Sequence, residues 1–232
     1  MKHKIETHLH TTYVSHCGWL GAQALIRMYK ECGYSALCVT DHYNRDTFRY
    51  LEIDTHNPPD DLVDRFLMGY HMLKKEAEEY APEIKIIEGA ELRFDGSDND
   101  YLLFGYHHDL LRNPEEVISG GLEKFIAKSR ADGAVLIQAH PYRKKCYPMP
   151  PELLDGVEIL NCNPRHDSQN DMARKFAQDN HFKIVTAGSD CHRPGDQGTT
   201  GLISEICPGD TFAMAELLRS GNYELIERSE AH

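Results

Sequence analysis

The sequence predicts an α/β protein of the TIM-like (β/α) barrel type, with a metal site at the C-terminal ends of its strands. Three observations predict it. Short apolar runs alternate along the chain with longer segments of helical period. Seven such runs are present, close to the strand complement of a full barrel. Imidazoles and carboxylates stand at or just beyond the ends of most of them.

The predicted strands are residues 4–10, 35–40, 84–90, 101–106, 134–138, 156–160 and 183–186. The first carries His8-Leu9-His10. Side chains two apart on a strand share a face, so the two imidazoles stand together and Leu9 turns into the opposite layer. His16 follows on a loop that can fold back over the same strand end. The second strand is wholly apolar until it switches to Thr40-Asp41-His42. That is the pattern of a buried strand delivering polar groups to a site, or of a turn capped by Asp41.

The third strand offers two acids, Glu88 and Glu91. Glu91 follows Gly89 and Ala90, which permit close approach, and is the preferred ligand; Glu88 is expected toward solvent. Next comes Gly105-Tyr106-His107-His108, and the fifth strand ends on His140-Pro141. Asn161, Asn163, Arg165 and His166 follow the sixth, and Gly188-Ser189-Asp190-Cys191-His192 closes the last.

Between the strands lie amphipathic segments. The clearest covers 60–80, with Leu62, Val63, Phe66, Leu67, Tyr70, Leu73 and Ala77 on one face after Pro58-Pro59-Asp60. Another covers 22–32 and is stopped by Gly33; further helices start at Asn113-Pro114-Glu115-Glu116, Asp167-Ser168 and Asp210-Thr211. Their apolar faces form the core. The loops 43–57 and 141–151 lie between strand ends and helices, where specificity is set.

A buried structural histidine explains one polar strand end. It does not explain several in register, because buried charges and imidazoles are costly without cations to satisfy them. Bound divalent cations are therefore expected. Imidazole-rich ligation suits Zn or Fe, and the carboxylates also admit Mn.

The ordered set His8-Leu9-His10, His16, Thr40-Asp41-His42, Glu91, His140-Pro141 and Gly188-Ser189-Asp190-Cys191-His192 resembles the PHP (polymerase and histidinol phosphatase) family from residue 4 to about residue 203. The resemblance implies a distorted (β/α)7 barrel, a two- or three-metal centre and phosphoester hydrolysis. By it, His8, His10, Glu91 and Asp190 hold one ion, and Glu91 bridges to a second that His140 also binds. His16, His42 and His192 hold the third. The remaining ligand of the second ion falls near the fourth strand, where His107 is preferred to Asp100 and His108 is an ordinary surface residue.

Cations sharing such ligands lower the pKa of a bridging water, so that hydroxide is supplied near neutral pH and phosphoryl oxygens are held for in-line attack. No nucleophilic Ser or Cys is required, and Cys191 reads as packing. Arg143, three residues after His140, is placed to grip a phosphate, with Lys144 and Lys145 nearby. Asp41 either handles a proton at the leaving oxygen or orients His42.

Composition narrows the partners. The 232 residues, 41% hydrophobic, fit one domain, 1–232. A formal charge of −12 argues against an extended nucleic-acid surface and for a small phosphorylated metabolite or nucleotide. The opening MKHKIETHLH has no apolar leader core, no run approaches a membrane span, and the seven cysteines form no CxxC pair. These features lead us to expect a cytoplasmic chain free of membrane; they leave oligomeric state open. The alternatives are a metal-dependent amidohydrolase, which also begins with HxH but would carry a lysine near Glu91, and a non-catalytic metal-stabilised regulator.

Overall fold

Runs such as Ala36-Leu37-Cys38-Val39 have no polar face, so their strands must be covered on both sides, and the rest of the fold supplies that cover. The computed structural model describes residues 2–227. Its strands are β1 (His3–Leu9), β2 (Tyr34–Val39), β3 (His42–Tyr43), β4 (Lys85–Glu88), β5 (Ala90–Arg93), β6 (Asp100–Phe104), β7 (Val135–Gln138), β8 (Gly156–Asn161), β9 (Ile184–Gly188), β10 (Gly201–Ser204) and β11 (Glu224–Ile226). Its helices are α1 (Ala22–Glu31), α2 (Arg45–Tyr50), α3 (Leu62–Phe66), α4 (Met68–Tyr80), α5 (Pro114–Asp132), α6 (Asn170–Asp179) and α7 (Thr211–Ser220).

The strands form two sheets, ordered β11-β10-β1-β2-β4 and β3-β5-β6-β7-β8-β9. No closed sheet is found among the described residues; the architecture is mixed α/β. The chain crosses between the sheets four times, between β2 and β3, β3 and β4, β4 and β5, and β9 and β10. An isolated parallel bridge from Leu9 to Cys191 ties the end of β1 to the segment after β9. The pairs β1/β2, β2/β4, β3/β5, β7/β8 and β8/β9 are parallel, so their C-terminal ends share one side. β6 is antiparallel to both of its neighbours, β5 and β7. Its start, not its end, therefore lies with the C-terminal ends of the others.

Helix boundaries follow local chemistry. Asn113 caps α5 through the N–H of Glu116 with Pro114 in the first turn, and Gly133 closes it in the left-handed conformation. Asp210 caps α7 in the same way through Ala213. The single helix expected over 60–80 is two, α3 and α4, broken at Leu67. The loop expected over 43–57 contains α2, capped by Asn44 on the N–H of Thr47. Buried side chains pack in clusters around Leu92–Leu136, Ile87–Ile137 and Leu9–Leu37. Among the described residues no helix is long and apolar enough to cross a membrane.

Candidate metal centre

Glu91 is the hub. It stands on β5, 1% exposed, and its two oxygens meet four imidazoles. His8 Nε2 lies 3.1 Å and His140 Nε2 3.3 Å from Oε1; His10 Nε2 lies 3.3 Å and His42 Nδ1 2.7 Å from Oε2. Asp190 closes the opposite side, with Oδ1 at 3.5 Å from His8 Nε2, 3.3 Å from His10 Nε2 and 3.2 Å from His192 Nδ1. Burial alone would push the Glu91 carboxyl up, but the charges of His8 and His42 outweigh it and hold it well below the usual range. The same balance, with His8 and Arg143 as the cations, holds Asp190 low.

The residues fit a metal cluster on one observation in particular. His8 Nε2, His10 Nε2, His42 Nδ1 and Glu91 Oε2 are buried without a hydrogen-bond partner. They approach one another without lining up donor to acceptor, which is how atoms aimed at a common cation stand. Four triads each bring one ligand atom per residue within 4.8 Å: His8, His10 and Glu91; His8, His140 and Asp190; His10, His42 and His192; His42, Glu91 and Asp100. Burial and the neighbouring imidazoles of His192 and His42 push His10 well below the ordinary imidazole pKa. His8, although burial opposes it, is pushed well above by Asp190, Glu91 and Glu158.

The supporting residues explain the geometry. Glu158, buried in β8, was not anticipated as a site residue; its Oε1 lies 2.9 Å from His8 Nδ1, and its Oε2 accepts from the His140 N–H at 3.0 Å. It thereby fixes the His8 ring so that Nε2 faces the cluster. A glutamate inside Gly156-Val157-Glu158-Ile159-Leu160 was the available signal. Gly188 on β9 lets His8 in, since a Cβ there would lie 2.4 Å from His8 Cβ. His140 (φ 29) and Asp190 (φ 50) hold left-handed backbones, a conformation that costs non-glycine residues energy and recurs at functional sites.

The contacts of Asp41 are those of the second of its two expected parts, orienting His42. Asp41 lies behind the cluster, 3% exposed. Its Oδ1 accepts from the Thr11 N–H and the Ser15 hydroxyl and its Oδ2 from the Thr11 hydroxyl, each at 2.7 Å. Asp41 thus pins the loop that carries Ser15, whose Oγ accepts in turn from the His42 N–H. A Cβ at Gly69 would lie 2.2 Å from Asp41 Oδ2, so α4 can close over it only with glycine there.

His107 is not brought to the cluster. Because β6 runs antiparallel, its end points away, and the His107 side chain is 67% exposed, with Nδ1 3.2 Å from Asp132. Asp100, at the start of β6, lies instead 3.8 Å from His140 Nε2 and accepts both arms of the Arg93 guanidinium at 2.7 and 2.6 Å. His108 pairs with Glu88 at 3.0 Å. His16 lines the cavity but is exposed, its ring 5.2 Å from that of Tyr50, and belongs to none of the four triads. Cys17, its neighbour, also lines the cavity and was not anticipated as a site residue. Burial pushes its thiol up, but hydrogen bonds to His192 and His42 more than offset this and bring it down to about 6.

These residues line a cavity of about 410 Å³ whose mouth carries Arg93, Arg143, Lys144, Arg165 and Arg193. Arg143 Nη2 donates to Asp190 Oδ2 at 2.7 Å and to Asn161 Oδ1 at 2.8 Å, while its Nε is left buried without a partner. Arg165 grips Asp196 with two bonds of 2.6 Å, and Asp196 accepts the N–H groups of His192 and Arg193. Trp19, 62% exposed, stacks on Arg193 at 3.9 Å.

Comparison with known proteins bears on all of this. The PHP domain family profile matches residues 6–182. No curated protein matches the chain. Among solved structures, a two-domain protein from Bacteroides vulgatus containing a predicted PHP-like metal-dependent phosphoesterase is similar at TM-score 0.69 and 14% identity, over 98% of this chain and 65% of that one. The lesion-specific endonuclease Q of Pyrococcus furiosus is similar at TM-score 0.62 and 15% identity, over 97% of this chain and 58% of that one. A further endonuclease Q structure holds a 27-mer duplex substrate with an abasic lesion at the active site; its TM-score is 0.60 at 14% identity, over 95% of this chain and 57% of that one.

At these identities the likeness is one of fold, and the chain spans under two thirds of each of these three proteins. It corrects one expectation. A small phosphorylated substrate, with nucleic acid set aside because of the −12 charge, does not stand, since the same fold accepts duplex DNA in endonuclease Q. Net charge summed over a chain says little about one cavity, whose lining sets four arginines and a lysine beside five carboxylates that cations would offset.

Proposed function

The chain belongs to the PHP domain family, and from that premise we propose that it is a metal-dependent phosphoesterase acting on a phosphodiester of nucleic acid. The observation that carries the hydrolase reading is the set of four buried, partnerless ligand atoms around Glu91. His8, His10, Glu91 and Asp190 would hold one ion. Glu91 would bridge it to a second held by His140 and Asp100, and His42 and His192 would serve a third. Such cations polarise phosphoryl oxygens and make water a competent nucleophile near neutral pH. The two sheets are taken as a distorted seven-segment barrel, supported by the four crossings of the chain between them and the Leu9–Cys191 bridge.

The other roles belong to the chain's own groups. Arg143 orients Asp190 with one arm and keeps an Nε that has no protein partner and would be free to meet a phosphoryl oxygen. Glu158 sets the His8 tautomer, Arg93 holds Asp100, and Asp41 positions His42 through Ser15. Arg165 and Arg193 give the mouth the charge a polyanion needs, and Trp19 offers a flat face on which a base can stack.

The test is an assay of the metal-reconstituted protein against abasic and intact oligonucleotides, phosphomonoesters and amides. Strand cleavage is expected. Turnover of amides alone would overturn the phosphoesterase reading, and turnover of phosphomonoesters alone would overturn the nucleic-acid part of it. Trp19 is the only tryptophan in the chain, so its fluorescence reports stacking directly: an oligonucleotide should quench it, and an abasic sugar-phosphate strand should quench it less.

A further inference from the structure

Glu6 is a fully buried carboxylate to which the metal centre gives no part, and it stands at an irregularity in β1. The pairing of β1 with β2 moves from Glu6 opposite Leu37 to Leu9 opposite Val39, so three steps on β1 match two on β2. The extra residue is a bulge, and a bulge redirects side chains. By strict alternation Glu6 would share a face with His8 and His10. Instead its Oε2 accepts from the hydroxyl of Tyr29 on α1 at 2.8 Å, and Leu9 packs in the cluster that holds Tyr29. The same carboxylate spans the line where the two sheets meet. β1 belongs to one sheet and β9 to the other. The main chain joins them beyond their ends, where the Cys191 N–H donates to the His8 carbonyl at 3.2 Å and the His10 N–H to the Cys191 carbonyl at 3.0 Å. Ahead of that point side chains bridge the seam. Glu6 Oε1 accepts the N–H of His8 at 2.9 Å and that of Ser189 at 3.1 Å, and Oε2 also accepts the Ser189 hydroxyl at 2.5 Å. The Thr7 hydroxyl adds a bond of 2.8 Å to the Ala187 carbonyl. Glu6, Thr7, Tyr29 and Ser189 are all 0% exposed, and four donors fill the acceptor sites of one carboxylate.

We propose that Glu6 is a positioning residue of the metal centre: it staples the backbone of His8 to that of Ser189, and so fixes the separation at which His8 and Asp190 meet one ion. The proposal rests on reading the centre as a metal site. His8 Nε2 and Asp190 Oδ1 are 3.5 Å apart, close to the edge of about 3.4 Å between two ligands bound at about 2.1 Å to a tetrahedral ion. His8 comes from one sheet, and Asp190 follows the last strand of the other. A ligand pair drawn from two sheets is held only as firmly as the sheets are held to each other. Glu158 on Nδ1 sets where the His8 ring points. Glu6, bonded to the His8 N–H, sets where its backbone stands.

Cobalt reads that separation without any assay of turnover, because the visible bands of Co²⁺ follow the geometry of its ligands. Affinity is measured alongside by competition with a chromophoric chelator. In the full chain, E6A should shift the bands of the first cobalt equivalent and weaken its binding by about 10–100-fold. E6Q is the rescue. Its amide oxygen still accepts both N–H groups, so the bands should stay in place and binding should weaken by less than about tenfold. S189A removes the hydroxyl arm of the staple and keeps the backbone N–H of residue 189. It should move the bands in the same direction as E6A, and it carries the test if E6A does not fold. Unmoved bands in E6A overturn the proposal, as do unmoved bands in S189A where E6A does not fold. E6Q as damaging as E6A overturns it too, since Glu6 would then supply charge rather than spacing. If the unaltered chain binds no cobalt, the metal reading of the whole centre falls and the proposal with it, so the two failures are separable.

Discussion

The two ends of β6 each carry a histidine–carboxylate grouping, and the two groupings share little beyond composition. At the start of the strand Asp100 is 3% exposed and faces His140, beside a glutamate that meets four imidazoles. At the end, His107 pairs with Asp132 and His108 with Glu88, with histidine side chains 67% and 48% exposed. The first grouping leaves four buried ligand atoms unsatisfied; none of the residues of the second is among the described residues with such atoms. Exposed pairs of the second kind contribute on the order of 0–1 kcal/mol and are screened by salt. Buried polar atoms of the first kind cost about 1–3 kcal/mol each unless something answers them. Histidine beside carboxylate is thus no sign of a site in itself; convergence under burial with unmet coordination is.

The comparison breaks most decisively at Glu91. Glu91→Gln removes the charge that all four imidazoles share, and activity should fall by about 10²–10³-fold or more, with at least one equivalent of metal lost by elemental analysis. Retention of full metal content would remove Glu91 from the centre and erase the distinction between the two ends. Next in size is Asp100→Asn. Metal affinity at the position shared with His140 should weaken by about 10–100-fold, measured by competition with a chromophoric chelator. A loss confined instead to His107→Asn would restore the sequence-based assignment.

That assignment shows how far the sequence could be read. Ligands on β1 and those following β2, β7 and β9 were legible because those strands run parallel, so that a polar residue after an apolar run lies at the common mouth. β6 obeys the same apolar pattern but runs the other way, and pattern carries no direction. Its antiparallel pairing with β5 and β7 is what exchanges His107 for Asp100. Glu158 was illegible for a related reason: its partner, His8, is 150 residues away, and only β8 lying next to β9 makes the contact. Two of the smallest strands, β3 and β10, and the helix α2 carry too few residues for periodicity to register.

A smaller effect separates the ends by pH. In the metal-free protein His140 is raised to about 9, with the contacts to Cys146 and Glu91 outweighing burial and Arg143, and His192 to about 10, with contacts to Asp190 and Cys17 outweighing burial. Each must shed a proton before it can ligate. Metal affinity should therefore climb with pH through the neutral range and level off only as pH passes about 9–10, by up to about tenfold per unit for each proton displaced. A plateau already at the ordinary imidazole value of about 6.5 would mean that the carboxylates do not hold these rings protonated.

The smallest effect is expected at the far end. His107→Asn removes an exposed ring from Asp132 while the backbone N–H of residue 107 keeps its 2.7 Å bond to Asp132 Oδ2, so the turn after β6 remains tied to the end of α5. Stability in urea should change by no more than about 0.5 kcal/mol, and metal stoichiometry and activity should be unchanged. The small residual should shrink with added salt, since what is lost is a surface electrostatic contact with an effective range of about 10 Å at 0.1 M. Were His107→Asn instead to lower metal content, the end of β6 would have to approach the centre in a second arrangement of that strand, and the antiparallel register from Ala90–Leu103 to Arg93–Asp100 would be the element to re-examine.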